Sequence, residues 1–302
     1  MTKYKRQKYD VVSFGQSSLD DIENVGFKVQ RILGGAAIYF SLMTSNLGLK
    51  TGLVSRVGLD FNDQHIDRMK KNGIDLSGLI ICPSLSTRIH LKYDHERLIN
   101  LKINENISKN LNEYDYPNEF FSTKISHIST APYNSIINLC EKLREKKITI
   151  SMDPHSDFIN NSHKENKILI KNVDILFMNY SEYLRFTQKK DIYELVKYLK
   201  QHPSKIFNIN CGKEGSIIIH QNNIIRIPSF INYMVIDCVG AGDVYAAGFI
   251  YGYLKKTDLY IAGLYGAACA YFTIGGIGTK NIPTKESVVN IIKNSSRYLY
   301  NE

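Results

Sequence analysis

The chain has 302 residues, 43% of them apolar and 22% charged. That balance excludes an intrinsically disordered chain, and the length is enough for one large α/β unit. Lysine and arginine number 38 against 29 aspartates and glutamates, a net charge of +9. The basic residues are scattered apart from Lys3, Lys5, Arg6 and Lys8, with no clustered stripe, so neither a nucleic-acid nor a membrane partner is expected.

The cysteines (Cys82, Cys140, Cys211, Cys238 and Cys269) are odd in number and widely spaced, and no C-x-x-C occurs. This pattern argues against a disulfide framework or a zinc site and for a reducing cytoplasm. The start, MTKYKRQKYD, has no apolar h-region, and a cytoplasmic location is expected.

In chain order, residues 11–15 read as a first strand and 20–33 as a partly polar, strand-like excursion. Residues 36–47 read as a helix, 52–57 as a strand and 62–72 as a helix. Residues 87–103 alternate, with Ile89, Leu91 and Tyr93 on one side, then Ile99, Leu101 and Ile103, and Asp94-His95-Glu96-Arg97 as the turn. This predicts a β-hairpin outside the main sheet. Residues 104–118 are loop-like. Short β-branched runs at 125–129, 148–152, 175–178 and 206–209 alternate with helical spacing at 135–146 and 191–200. The alternation predicts a single α/β domain over 1–302, with a doubly wound, mostly parallel sheet flanked by helices. The excursions near 18–33 and 86–103 fit either a small β-sheet lid over a cleft or a pair of surface hairpins. Residues 259–279 carry no charge but hold five glycines and three tyrosines. They read as a buried helix and a Gly-rich loop, not as a membrane span.

The strongest signal is Asp237-Cys238-Val239-Gly240-Ala241-Gly242-Asp243-Val244-Tyr245-Ala246-Ala247-Gly248-Phe249. A strand-like run at 231–236 precedes it, and a helical pattern follows. Gly240, Ala241 and Gly242 therefore fall at a helix N-terminus, where free N–H groups and the positive helix end favour an anion. An acid in the first helical turn, Asp243, stands where a base must be to deprotonate a hydroxyl attacking a phosphate. The plain alternative is a Gly-containing loop with Asp243 as an N-terminal helix residue.

The whole string resembles the second signature of the ribokinase-like (phosphofructokinase-B) carbohydrate kinase family, with Cys238 where Thr is usual and Tyr245 where Phe is usual. The family fold is a doubly wound α/β domain with a β-sheet lid. The resemblance implies that Asp243 is the general base and that Gly240, Ala241 and Gly242 stabilise the transferred charge. It implies a substrate site at Asp20, Gly34, Gly35 and Tyr39, the last standing where Asn is frequent. Arg56-Val57-Gly58-Leu59-Asp60 is similar to the family's G-x-D turn, and Asp153-Pro154-His155 to its D-P-N pattern. Asn179-Tyr180-Ser181-Glu182 matches its N-x-x-E motif, so that Asn179 and Glu182 border ATP and Glu182 meets Mg2+ through water. Asn210, Gly212 and Gly215 resemble its nucleotide loop, and Ala268 and Gly276 lie in the segment that walls adenine. Asp237 is the residue implied for a monovalent cation such as K+. The activity implied is ATP-dependent phosphorylation of a sugar or polyol. A nucleoside kinase of the same fold, a ligand-binding member that has lost catalysis, and a homodimer formed through the lid remain open on this reading.

Overall fold

The computed structural model describes residues 7–94, 97–104, 107–154, 162–231 and 234–299. Strand β1 (Tyr9–Phe14) is followed by a hairpin of β2 (Ser18–Asn24) and β3 (Phe27–Gly34), then α1 (Ala36–Asn46), β4 (Thr51–Gly58), α2 (Asp63–Lys71) and β5 (Asp75–Cys82). A second hairpin pairs β6 (Arg88–Asp94) with β7 (Arg97–Asn104). Then come β8 (Thr123–Ile128), α3 (Tyr133–Glu145), β9 (Thr149–Met152), α4 (His163–Asn172), β10 (Ile175–Asn179), α5 (Tyr180–Thr187) and α6 (Ile192–Leu199). The C-terminal part holds β11 (Ile206–Asn210), β12 (Ser216–His220), β13 (Asn223–Ile227), α7 (Ala241–Leu254), α8 (Leu259–Thr273) and α9 (Lys285–Leu299).

Nine strands form one sheet in the order β13-β12-β11-β10-β9-β8-β1-β4-β5. It is parallel from β5 to β11, and β12 and β13 close it antiparallel. Parallel central strands are covered on both faces, so β10 reads as a continuous apolar run. Ile175 and Phe177 pack on the side of α1, α7 and α8, while Leu176 and Met178 pack on the side of α3, α4 and α5. The two excursions join as one separate four-stranded sheet, β3-β2-β6-β7, here called the lid sheet, and not as independent hairpins. The lid's inner residues Ile22, Leu91 and Tyr93 pack with Val239 and Ile277 from the main body.

Several expectations change. The run at 231–236 forms no strand among its described residues. The Ile236 and Asp237 N–H groups donate instead to the Ile274 carbonyl at the end of α8, at 2.8 and 3.2 Å. The 104–118 stretch contains short 3-10 turns at Ile107–Asn110 and Glu113–Asp115. The small residues of α7 serve helix-to-helix contact: a Cβ on Gly248 would stand 2.5 Å from the Tyr265 carbonyl of α8. Strands β5, β12 and β13 had no clear sequence signal. The β12–β13 hairpin turns on Gln221 and Asn222, both at positive φ (47° and 66°), as a two-residue hairpin requires. No helix among the described residues is long and apolar enough to cross a membrane.

Candidate active site

A cavity of about 810 Å³ opens at the carboxyl ends of β8 to β11 and the N-terminus of α7. Ligands of open α/β sheets bind beyond these strand ends. Gly240 is the N-cap of α7 at φ 74°, a left-handed conformation that suits glycine. Gly242 and Asp243 lie in the first helical turn, where no i−4 carbonyl exists for their N–H groups. The Ala241 N–H makes only a long 3.3 Å bond to the Cys238 carbonyl. Gly240, Ala241, Gly242 and Asp243 all line the cavity.

Asp243 shares the cavity floor with Asp153 and Glu182. A Cβ on Gly242 would lie 3.6 Å from Asp153 Oδ2, so Asp153 sits directly beneath the anion turn. Burial raises the Asp243 carboxyl to about 7, helped by the negative charges of Glu182 and Asp20. Burial, with Asp243 and Glu182, also raises Asp153 well above the usual carboxylate range. Lys213 is the only basic side chain among the described residues that line the cavity. Three crowded carboxylates facing one lysine call for a cation, and no set of three or more acidic, His or Cys side chains among the described residues is arranged to hold one alone.

Asn179 and Glu182 form a capping box at the start of α5. Asn179 Oδ1 accepts from the Glu182 N–H and the Ser181 hydroxyl, both at 2.8 Å, and Glu182 Oε2 accepts from the Asn179 N–H at 2.9 Å. Asn179 therefore shapes the turn, and Glu182 is the residue of the pair whose charge acts on the cavity. Asn210, Gly212 and Gly215 line the same cavity. A Cβ on Gly215 would meet the Ile227 carbonyl at 2.0 Å, and Asn210 Oδ1 has no hydrogen-bond partner among the described residues.

The apolar wall opposite is Ala267, Ala270, Tyr271 and Ile274 with Phe230, and the Phe230 and Tyr271 rings meet edge to face at 6.1 Å. Ala268 does not line this space; it is fully buried in the core on the other side of α8. Gly276 does not line it either and is packed against Asn281. Ala268 thus lies on the helix that lines the cavity but on its core face, and Gly276 lies beyond that helix. Residues 267, 270, 271 and 274 share one helical face, but α8 is apolar on its other faces too, so the spacing does not mark it. Phe230 and Asp153 also belong to the cavity; the D-P pair was the only sequence signal for Asp153.

Asp20, on β2 and not among the residues lining this cavity, is 1% exposed, and its Oδ1 accepts the Ser18 hydroxyl at 2.6 Å. Burial raises its carboxyl to about 7, with Asp237 and Asp21 adding to the effect. The α-carbon of Gly34 abuts that carboxylate, with a Cβ there meeting Asp20 Oδ2 at 1.9 Å. Gly35, at φ 96°, packs against the backbone of Gln16, Ser17 and Ser18. Tyr39 was expected to contact the substrate. It is instead buried against the anion turn, its ring against Gly240 and its hydroxyl without a hydrogen-bond partner among the described residues. Asp237, expected to hold a monovalent cation, braces two loops: Oδ1 accepts from the Val239 N–H at 2.9 Å and Oδ2 from the Gly278 N–H at 2.8 Å. His155, His95 and Glu96 lie outside the described residues.

The pfkB family carbohydrate kinase model matches residues 7–286. A nucleoside kinase of Methanocaldococcus jannaschii is 32% identical over 266 residues, covering 86% of this chain and 85% of that protein. A cytidine kinase of Thermococcus kodakarensis is 25% identical over 260 residues, covering 83% and 90%. The crystal structure of the M. jannaschii nucleoside kinase, described as an archaeal member of the ribokinase family, superposes with a TM-score of 0.82 at 27% identity, covering 96% of this chain and 100% of that one. With the anion turn, the carboxylate beside it and the lid in place, the chain belongs to the pfkB carbohydrate kinase family and is an ATP-dependent kinase of a small sugar or nucleoside.

Proposed function

We propose that the chain phosphorylates a hydroxyl of a nucleoside, with Asp243 as the general base. The observation that carries this is the position of Asp243: in the first turn of α7, lining the cavity beside the nucleotide loop, and near enough to Asp20 for that charge to act on it. ATP lies along Asn210 to Gly215 with its base against Phe230 and Tyr271. The acceptor binds near Asp20, whose carboxylate accepts from two vicinal hydroxyls, as on a ribose. The acceptor oxygen forms a bond to the γ-phosphorus as the bond to the ADP oxygen breaks. Its proton passes to Asp243, and the first-turn amides of α7 take up charge on the moving phosphoryl. Magnesium fits this site. Glu182 and Asp153 would hold it, mostly through its waters, and it would neutralise phosphate charge.

The nucleoside reading rests on the M. jannaschii and T. kodakarensis relatives, which are named nucleoside and cytidine kinases. A panel of nucleosides, hexoses and inositols in an ADP-release assay tests it. Turnover confined to hexoses or inositols would overturn the nucleoside assignment. ATP binding with no turnover on any acceptor would favour a silent ligand-binding protein.

We also infer that a second copy pairs through the lid. Strand β7 is the edge of the lid sheet, and Leu98, Ile99 and Leu101 on it are 44%, 50% and 42% exposed. An exposed apolar edge strand is a template for pairing.

A further inference from the structure

We propose that Arg68 is a positioning residue that keeps the acceptor floor and the phosphate turn in register through a single intermediary, Thr279. The proposal rests on the kinase reading above.

Arg68 lies in the last turn of α2 and is partly buried. Its guanidinium makes both of its bonds to one residue: Nη1 donates to Thr279 Oγ1 at 2.9 Å and Nη2 to the Thr279 carbonyl at 2.5 Å. Thr279 is 1% exposed, and its hydroxyl donates onward to the Leu33 carbonyl at 3.0 Å. Leu33 directly precedes Gly34, whose α-carbon abuts the Asp20 carboxylate. On its other side Thr279 follows Gly278, whose N–H donates to Asp237, the first residue of the anion motif. A Cβ on Gly278 would meet Ile32 at 2.4 Å, so the dipeptide is wedged against β3. The segment under Asp20 and the segment leading into Gly240 thus meet at Gly278-Thr279, 246 residues from Leu33 in the chain. Arg68 is the side chain that fixes that dipeptide.

The residue types suit the task. A guanidinium presents a rigid planar fork that reaches a hydroxyl and a carbonyl together, which an ammonium does not. A hydroxyl accepts from Arg68 while donating to Leu33; serine keeps that ability and valine loses it at nearly constant volume. A small shift between acceptor and phosphate is enough to matter, since a misplacement of about 1 Å costs up to roughly 100-fold in rate.

The test compares Thr279→Val, Thr279→Ser and Arg68→Lys in the full chain. Thr279→Val and Arg68→Lys are expected to lower kcat/KM for the acceptor by about 10-fold to 100-fold while leaving KM for ATP within about twofold. Thr279→Ser should recover wild-type values. A bracket that only stabilised the fold would lower Tm without this split between substrates. A rise in KM for ATP as large as the loss in kcat/KM for the acceptor, or Thr279→Val matching the wild type, would overturn the proposal. Hydrogen exchange of the ligand-free proteins supplies a readout independent of turnover. Thr279→Val should speed exchange at both 33–35 and 276–279, and faster exchange at only one of them would overturn the coupling. A wild type with no kinase activity would sink the kinase reading and leave the bracket to be judged on exchange. If Thr279→Val does not fold, Arg68→Lys against the wild type makes the same comparison.

Discussion

The ring of Tyr39 lies against the α-carbon of Gly240, so close that a methyl group there would stand 2.3 Å from Tyr39 Cδ1. Gly240→Ala therefore meets two obstacles, this ring and a φ of 74°. It is expected to destabilise the fold by about 1–3 kcal/mol and to lower turnover by roughly 100-fold or more, because the first-turn amides lose their aim. Thermal unfolding and ADP release measure the two effects. Tyr39→Phe keeps the ring and removes a hydroxyl that no group among the described residues engages, so turnover within about threefold of wild type is expected. A much larger loss would return Tyr39 to the substrate.

Asp243→Asn should fold and lose about 10² to 10⁴ in kcat. The wild type needs the carboxylate form, and burial lifts that carboxyl to about 7. In the wild type kcat/KM is expected to rise with pH through neutrality and level off above it. A flat profile from pH 5 to 9 would remove Asp243 as the base.

The same raised value has the opposite consequence for stability. A carboxyl whose folded value lies above its unfolded one binds its proton more tightly when folded, so its penalty appears as pH rises from about 4 toward 7. Asp243→Asn is expected to raise the Tm of the ligand-free protein at pH 8 and to give no gain near pH 4. Scanning calorimetry at the two pH values checks the sign.

Glu182→Gln leaves an amide oxygen to accept the Asn179 N–H, so α5 should keep its cap. The cavity loses one negative charge. The variant is expected to need more magnesium for half-maximal rate and to lose about 10-fold to 100-fold in activity, as read from rate against magnesium concentration at fixed ATP.

Much of this site was legible in the sequence because its anion turn is contiguous: Gly240, Ala241, Gly242 and Asp243 carry their own helix-start signal. The alternating lid strands and the β-branched runs also announced themselves through periodicity. What escaped notice depends on contacts between distant segments. Asp153, Glu182 and Asp243 become a carboxylate group only when β9, α5 and α7 converge. Ala267 faces the cavity and Ala268 the core because of how α8 lies on α7, which no local pattern fixes. Tyr39 reaches the anion turn because Gly240 lacks the atom that would exclude its ring. The β12–β13 hairpin turned on Gln221 and Asn222, a pair without the glycine that flags such turns.

A double substitution, Ile99→Lys with Leu101→Lys, puts charge on the exposed edge of the lid. It is expected to convert a dimer to a monomer in light scattering without changing the fold, because both side chains are already solvent-facing. A wild type that is monomeric at micromolar concentration would remove the lid pairing.

The glycine contacts between α7 and α8 bear on how a phosphate donor is measured. On the proposed reading, one helix presents the amides for the terminal phosphate and the other presents the wall for the base. Gly248 and Gly266 hold the two so close that an added methyl would come within 2.5 Å of the Tyr265 carbonyl or 2.9 Å of Tyr245. The gap between the anion turn and the apolar wall is thus set by the backbone spacing of two helices rather than by the reach of any one side chain.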